Sequence, residues 1–295
     1  MATQFLEAFI SPFHLKRWDS KTMKKKIFAL MTILPFALLV SCSIQKSSDS
    51  MSGMKMAHPT SSPIAAGQGM AAPDGGSFLN APIPADVLNL PLVDSNGNSF
   101  NLGSLKGQTV VIADFLTSCH DVCPMTTANI RNIGDAVAAS SLKNSVKVLE
   151  ISVDPVRDTP SRLAAYQKLF LDNSWTLATG SEADLGKFWS FFGSSNTKTP
   201  YTAAEKKSLP VDWQTGKPSE YDMSHTDLVI IVDGKGAWSW LDLGNPDASK
   251  AVIPEKLKKY LSDDGLNNLA KPQAPTWDVK AVLSALSSIT GTKIG

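Results

Sequence analysis

The chain has 295 residues, of which 43% are hydrophobic and 19% charged, with three cysteines and a formal net charge of +1. This is ordinary globular composition, long enough for one generous domain or two small ones. It carries no basic stripe and no lysine-rich arm, which argues against nucleic acid as a partner.

In chain order, the first informative stretch is Met23–Cys42, MKKKIFALMTILPFALLVSC. Lysines follow a methionine, an apolar run comes next, and Leu39-Val40-Ser41-Cys42 closes it. The layout is that of a bacterial secretory signal, too short and one-sided for a comfortable membrane span. Its ending resembles a lipobox, so the expectation is a lipoprotein signal over residues 1–42, with Cys42 lipidated as the first mature residue. The alternative is an uncleaved anchor helix. Either way the body of the protein is expected to be exported and held at the cell membrane, on the periplasmic or extracytoplasmic side. Residues 1–22 read as an over-long start, with Met23 as initiator. Without residues 1–42 the chain keeps 22 basic and 25 acidic residues, a balance of −3. Lipidation of Cys42 would leave Cys119 and Cys123 as the remaining thiols, in a compartment where an exposed pair drifts towards a disulfide unless reduced or metallated.

Residues 43–84 are rich in Ser, Gly, Ala, Pro and Met and read as a flexible tether. Met51, Met54, Met56 and His58, with Met70 further on, either form an auxiliary Cu(I) site of soft thioether ligands or are low-complexity drift.

The folded domain is expected over residues 85–295. Pro91–Leu102 reads as a hairpin turning at Asn96-Gly97. Thr109–Phe115 and Val146–Asp154 are β-branched runs typical of buried strands. Pro124 to about Ser140 reads as a helix, with the proline in its first turn. Thr159-Pro160 opens a helix to about Leu171, Trp175–Ala178 suits a short strand, and Glu182–Phe192 a helix with Leu185, Phe188, Trp189 and Phe192 on one face. Asp227–Asp233, a Gly234-Lys-Gly turn and Ala237–Leu243 make a second hairpin. Helices over Ile253–Leu261 and Val279–Ile289 close the chain. Strands alternating with helices imply an α/β fold: a central mixed sheet flanked by helices, with an N-terminal hairpin and a C-terminal helical extension. Two cysteines at the end of the first buried strand, leading into a helix, give the thioredoxin-like arrangement.

Those cysteines stand in Thr117-Ser-Cys119-His-Asp-Val-Cys123-Pro124. Side chains four apart share a face of one helical turn, about 5–6 Å between Cβ atoms. Cys123 sits at a helix N-terminus, where partial positive charge favours thiolate. Thiolate serves both metal binding and disulfide exchange, so this feature leaves both open. The three-residue spacer is longer than that of Cys-x-x-Cys oxidoreductases. Far downstream, His225 precedes a buried strand at a junction that lies beside the cysteine loop in such a fold. Two thiolates and an imidazole suit three-coordinate Cu(I), or Cu(II) with a further oxygen ligand; zinc accepts the same donors but usually closes with four. Asp154 and Arg157 fall in an Asp-Pro…Asp-Thr-Pro run that reads first as a turn and helix start, with a supporting role at the site for Asp154 as the alternative.

Three blocks together resemble the Sco/SenC family: the cysteine loop, then Ser152-Val-Asp154-Pro-Val-Arg157-Asp158-Thr-Pro160, then Ser224-His225 before a strand ending Asp233-Gly-Lys-Gly. The resemblance covers about residues 85 to 245. It implies a membrane-tethered, thioredoxin-fold copper chaperone that helps assemble the dinuclear copper site (CuA) of cytochrome c oxidase subunit II. It also implies Cys119, Cys123 and His225 as metal ligands, a copper donor protein, and a thioredoxin-like reductant. The competing expectation is an enzyme, a thiol–disulfide reductase whose redox-active pair is Cys119 and Cys123; a peroxiredoxin-like peroxidase is the weaker third. Two features depart from the family pattern. His120 stands where proline often follows the first cysteine, and is expected to point to solvent. The stretch from about Pro246 to Gly295 is longer than a compact member needs.

Overall fold

The computed structural model describes residues 69–171 and 174–294. Cys42, Met51, Met54, Met56 and His58 lie outside them, as do the signal and most of the tether.

The elements run β1 (Met70–Ala71), β2 (Ser77–Pro82), α1 (Ala85–Leu88), β3 (Leu92–Asp94), β4 (Ser99–Phe100), β5 (Thr109–Phe115), α2 (Cys123–Ala138), β6 (Val146–Ser152), α3 (Pro160–Leu169), β7 (Thr176–Thr179) and α4 (Glu182–Phe191). They continue with β8 (Asn196–Pro200), α5 (Glu205–Ser208), β9 (Tyr221–His225), β10 (Leu228–Val232), β11 (Ala237–Leu243), α6 (Glu255–Lys258), α7 (Asp263–Ala270) and α8 (Val279–Thr290). Nine strands form one mixed sheet in the order β1-β2-β11-β10-β5-β6-β7-β3-β4, and β8 pairs with β9 as a separate ribbon.

The centre of the sheet follows from composition. All seven residues of β5 and all five of β10 are buried, as β-branched runs covered on both faces should be. β5, β6 and β7 are parallel, and β10 runs antiparallel to β5 with β11 beside it. With α2 crossing from β5 to β6, this is the expected thioredoxin-like order. Helix α2 packs on β5, β6 and α8, and α3 on β7 and β3. Phe115, Ile112, Ile130, Trp189, Trp238 and Trp240 are among the fully buried side chains. Burying each large apolar group contributes about 1.5–3 kcal/mol before the entropy of ordering is subtracted.

The sheet begins earlier than composition suggests. Strands β1 and β2 fall inside the stretch read as tether, and β2 pairs with β11. Gly75-Gly76, which reads as linker, is a tight turn laid on Trp240. A Cβ on Gly76 would sit 2.5 Å from the indole ring, and its φ is +69°. Only glycine allows both the approach and the conformation. Trp240 Nε1 donates to the carbonyl of Gly75 at 3.2 Å.

Candidate metal and dithiol site

The site starts at the C-terminal end of β5, where the chain turns into α2. Thr117 and Ser118 are clamped from several sides. The Thr117 N–H and hydroxyl both donate to the Asp158 carboxylate, the hydroxyl at 2.5 Å. The Arg162 guanidinium donates to Thr117 Oγ1 at 2.5 Å and to Ser118 Oγ at 3.1 Å. Trp213 Nε1 donates to the Thr117 carbonyl at 2.7 Å, and the Tyr260 hydroxyl to that of Ser118 at 2.8 Å. Arg162 is itself paired with Asp212. Burial pushes Asp158 up to about 6, against the pull of its hydrogen bonds. The loop entering the cysteines is thus held by buried polar contacts that are all satisfied.

Cys119 is half-buried in the loop, and Cys123 is the buried first residue of α2. The Cys123 N–H donates to Cys119 Sγ at 3.3 Å, so a free N–H of the helix start caps the sulfur. The side-chain hydrogen bond from Cys123 holds the Cys119 thiol below its ordinary range, with help from two backbone N–H groups and His225. Burial, followed by the neighbouring Cys119, drives Cys123 well up. Of the pair, Cys119 is the thiol shifted towards ionisation and Cys123 the one shifted away from it. Both are free thiols.

His225 ends β9. Its Nε2 lies 3.7 Å from Cys123 Sγ, and its Nδ1 lies 3.0 Å from Asp114 Oδ2 and 3.7 Å from Asp227 Oδ1. A carboxylate only accepts, so Nδ1 carries the proton and Nε2 is the nitrogen turned to the sulfur. Asp114, near the end of β5, is fixed in turn: Leu228 N–H donates to its other oxygen at 3.0 Å and the Ser194 hydroxyl to Oδ2 at 3.4 Å. Burial opposes charge on the His225 ring. The bond to Asp114 and the charges of Asp114 and Asp227 outweigh it and hold the imidazole at about 9. Burial raises Asp227 to about 6, against the pull of His225. Donor atoms of Asp114, His225 and Asp227 all lie within 4.8 Å of one another. Both carboxylates meet Nδ1, so the trio orients the ring.

The structure therefore brings Cys119, Cys123 and His225 together, with Cys123 touching both of the others. Two sulfurs and an imidazole nitrogen suit a thiophilic ion such as Cu(I), and the carboxylate behind the ring is the usual support for a ligating histidine.

The other sequence candidates stand further out. Asp154 is buried and accepts from Arg157 Nε and, at 2.8 Å, from the Tyr221 hydroxyl. Arg157 donates to the Tyr221 carbonyl at 2.9 Å and stacks 3.9 Å from its ring centroid. Asp154 thus anchors the start of β9, the strand that ends in His225. The helix start of α3 is capped by Thr159. His120 does not point to solvent: its Nε2 lies 3.1 Å from the Tyr201 hydroxyl and its Nδ1 is buried without a hydrogen bond. Packing won over the surface habit of loop histidines. Met70 is exposed on β1. Sequence reasoning missed Asp114, Arg162, Trp213 and Tyr260. Asp114 carries a signal, since an aspartate inside Val-Val-Ile-Ala-Asp-Phe must find a partner. The others contact the loop from distant segments.

A family model, SCO1/SenC, matches residues 89–262. The chain belongs to that family. Among relatives, this SCO1/SenC chain is 33% identical over 119 residues to the SCO1 protein homolog of Bacillus subtilis, covering 39% of the chain but only 60% of that relative. It is 31% identical over 164 residues to the "Putative copper-binding protein" of Stutzerimonas stutzeri, covering 56% and 72% respectively. The solved structure of Bradyrhizobium japonicum ScoI with copper bound matches at 28% identity and a TM-score of 0.43, covering 58% of this chain and 97% of that one. Among the described residues of this SCO1/SenC protein, no helix is long and apolar enough to cross a membrane.

Proposed function

We propose that this protein is an exported copper carrier, tethered by a lipid on Cys42, that holds Cu through Cys119, Cys123 and His225. Its cargo would go to the CuA site of cytochrome c oxidase subunit II, the recipient implied by membership of the Sco/SenC family. A copper donor protein and a thioredoxin-like reductant would act upstream. The observation that carries the reading is the aim of His225: Nε2 faces the Cys123 sulfur while Asp114 occupies Nδ1. A histidine serving only as a cap would not need its free nitrogen turned to a thiol. The copper-bound Bradyrhizobium protein and the Stutzerimonas relative named for copper agree with it. Cysteine must be thiolate and histidine neutral at Nε2 to ligate, so loading releases protons and needs the reduced pair.

A second reading rests on the unequal thiols. Cys119, half-exposed and with its thiol pushed down, suits attack on a partner disulfide; Cys123 would then resolve the mixed disulfide, releasing the partner as a dithiol and leaving Cys119–Cys123 oxidised. The experiment that separates the two is anaerobic Cu(I) titration of the reduced protein and of His225→Ala, with dithiol exchange measured alongside. The copper reading expects at least a tenfold loss of affinity and exchange within twofold of the parent, in line with losing one of three ligands. Unchanged copper affinity would refute the three-ligand site. A second Cu(I) equivalent that survives in His225→Ala belongs to Met51, Met54, Met56 and His58. Saturation at one equivalent removes that cluster from the account.

A further inference from the structure

The two departures from the family pattern, His120 and the C-terminal extension, touch each other. The family match ends at residue 262, and the chain there turns across the cysteine loop. Ser262 N–H donates to the His120 carbonyl at 2.7 Å. The Tyr260 ring meets His120 edge-on, with centroids 6.1 Å apart. Gly265, in the first turn of α7, lies so close that a Cβ there would sit 2.6 Å from the His120 carbonyl oxygen and 3.1 Å from Asp121 Cα. Asn268, one turn later, donates through Nδ2 to Asp121 Oδ1 at 2.6 Å. The Ser262 hydroxyl accepts from Gly265 N–H and caps the helix that carries both contacts. Behind this contact Leu257, Tyr260 and Leu261 are buried in the core, so the segment is anchored.

These contacts fall on His120 and Asp121, two of the three residues that join the cysteines. Within the loop, Cys119 N–H donates to the Leu116 carbonyl and the N–H groups of Asp121 and Cys123 support Cys119 Sγ, while Tyr201 meets the His120 ring; the Asp121 side chain is held by Asn268. We infer that the extension is part of the dithiol site, with Gly265 and Asn268 as positioning residues that hold the spacer and so fix the two sulfurs relative to each other. A ligand set held ready binds its ion without first ordering the loop. The copper consequence rests on the function proposed above; the restraint on the spacer does not.

The test uses the full-length, reduced protein with Asn268→Ala, Gly265→Ala and the amide-retaining Asn268→Gln. Metal-free amide exchange is read at Asp121 and Val122, and Cu(I) affinity by competition with a chromogenic chelator. The thiolate-to-copper charge-transfer spectrum of the Cu(II) form reports donor geometry, which a loss of overall stability would leave unmoved. Losing one partly buried hydrogen bond predicts about fivefold faster exchange and about fivefold weaker Cu(I) binding in Asn268→Ala, with a shifted charge-transfer band. Gly265→Ala should change in the same direction, and Asn268→Gln should recover part of each effect. Parent-like exchange, or faster exchange with parent-like copper binding and spectrum, overturns the inference. If the parent binds no copper, the proposed function falls and exchange at the spacer alone decides the clamp. If Gly265→Ala fails to fold, Asn268→Ala decides.

Discussion

Asp114→Asn removes the charge behind the ring of His225 and puts an amide NH2 where Oδ2 accepts from His225 Nδ1 and the Ser194 hydroxyl. Asparagine fills the same volume and keeps a carbonyl to accept from Leu228 N–H. In the parent the imidazole is held at about 9 against an ordinary 6.5, although burial works the other way. Without the Asp114 charge, burial is opposed mainly by Asp227, and the midpoint should fall by about two units or more, on the order of 3 kcal/mol of interaction with the charged ring. The sign follows from linkage. A histidine raised on folding stabilises fully below its unfolded value of about 6.5, and loses that stabilisation as pH rises through about 9. Asp114→Asn should therefore be less stable than the parent by about 3 kcal/mol at pH 6, with the gap closing towards pH 9.5. Two assays check this on reduced, metal-free protein: NMR titration of the His225 ring protons, and urea denaturation at both pH values. A parent midpoint below 7, or a midpoint that does not move in the variant, would refute the view that Asp114 governs the ring.

Glu150 offers a second test with a slope of the same sign, in a lower pH window. It is fully buried in β6, accepts from Thr127 at 2.8 Å and Trp175 at 2.9 Å, and burial raises it from 4.5 to about 8. A carboxyl raised on folding stabilises below its unfolded value and destabilises as pH climbs through the folded one, so E150Q should gain on the parent by about 3 kcal/mol between pH 5 and pH 7.5. Urea midpoints that keep a constant gap across that range would show Glu150 to be ionised already. For the anchor, intact mass of the membrane-extracted protein should give a chain beginning at Cys42 and carrying a lipid; an unmodified chain beginning at Met1 or Met23 would refute the lipoprotein reading.

The centre of the fold was legible because its strands are written in β-branched residues. Thr109–Phe115, Val146–Ser152 and Leu228–Val232 could hardly be anything else. The dithiol was legible for its rarity, and His225 for its place before a strand. The ribbon was not. Asn196–Pro200 is exposed at every position, and Tyr221–His225 alternates exposed with part-buried residues but holds no fully buried one and is short and polar, so neither carries the apolar signal that marks a strand. Helix α7 failed for a related reason: of Asp263–Ala270 only Gly265 is buried, and it packs by lacking a side chain. The strands in 70–82 were hidden by Gly and Pro that serve a turn here and a linker elsewhere. Asp114, Arg162 and Trp213 act across long separations, and no local pattern encodes such partners.

The stretch between the two ribbon strands has a mechanical consequence. From Pro200 the chain leaves the ribbon, sends Trp213 and Asp212 back to Thr117 and Arg162, and returns to Tyr221 and His225. Thr117 leads through the loop to Cys123, which faces His225. The path closes into a circuit that is covalent except at two junctions, the indole on the Thr117 carbonyl and the imidazole on the sulfur. Strain entering at the ribbon would fall on those two non-covalent junctions first, so the indole anchor on Thr117 guards the approach of the imidazole to the sulfur.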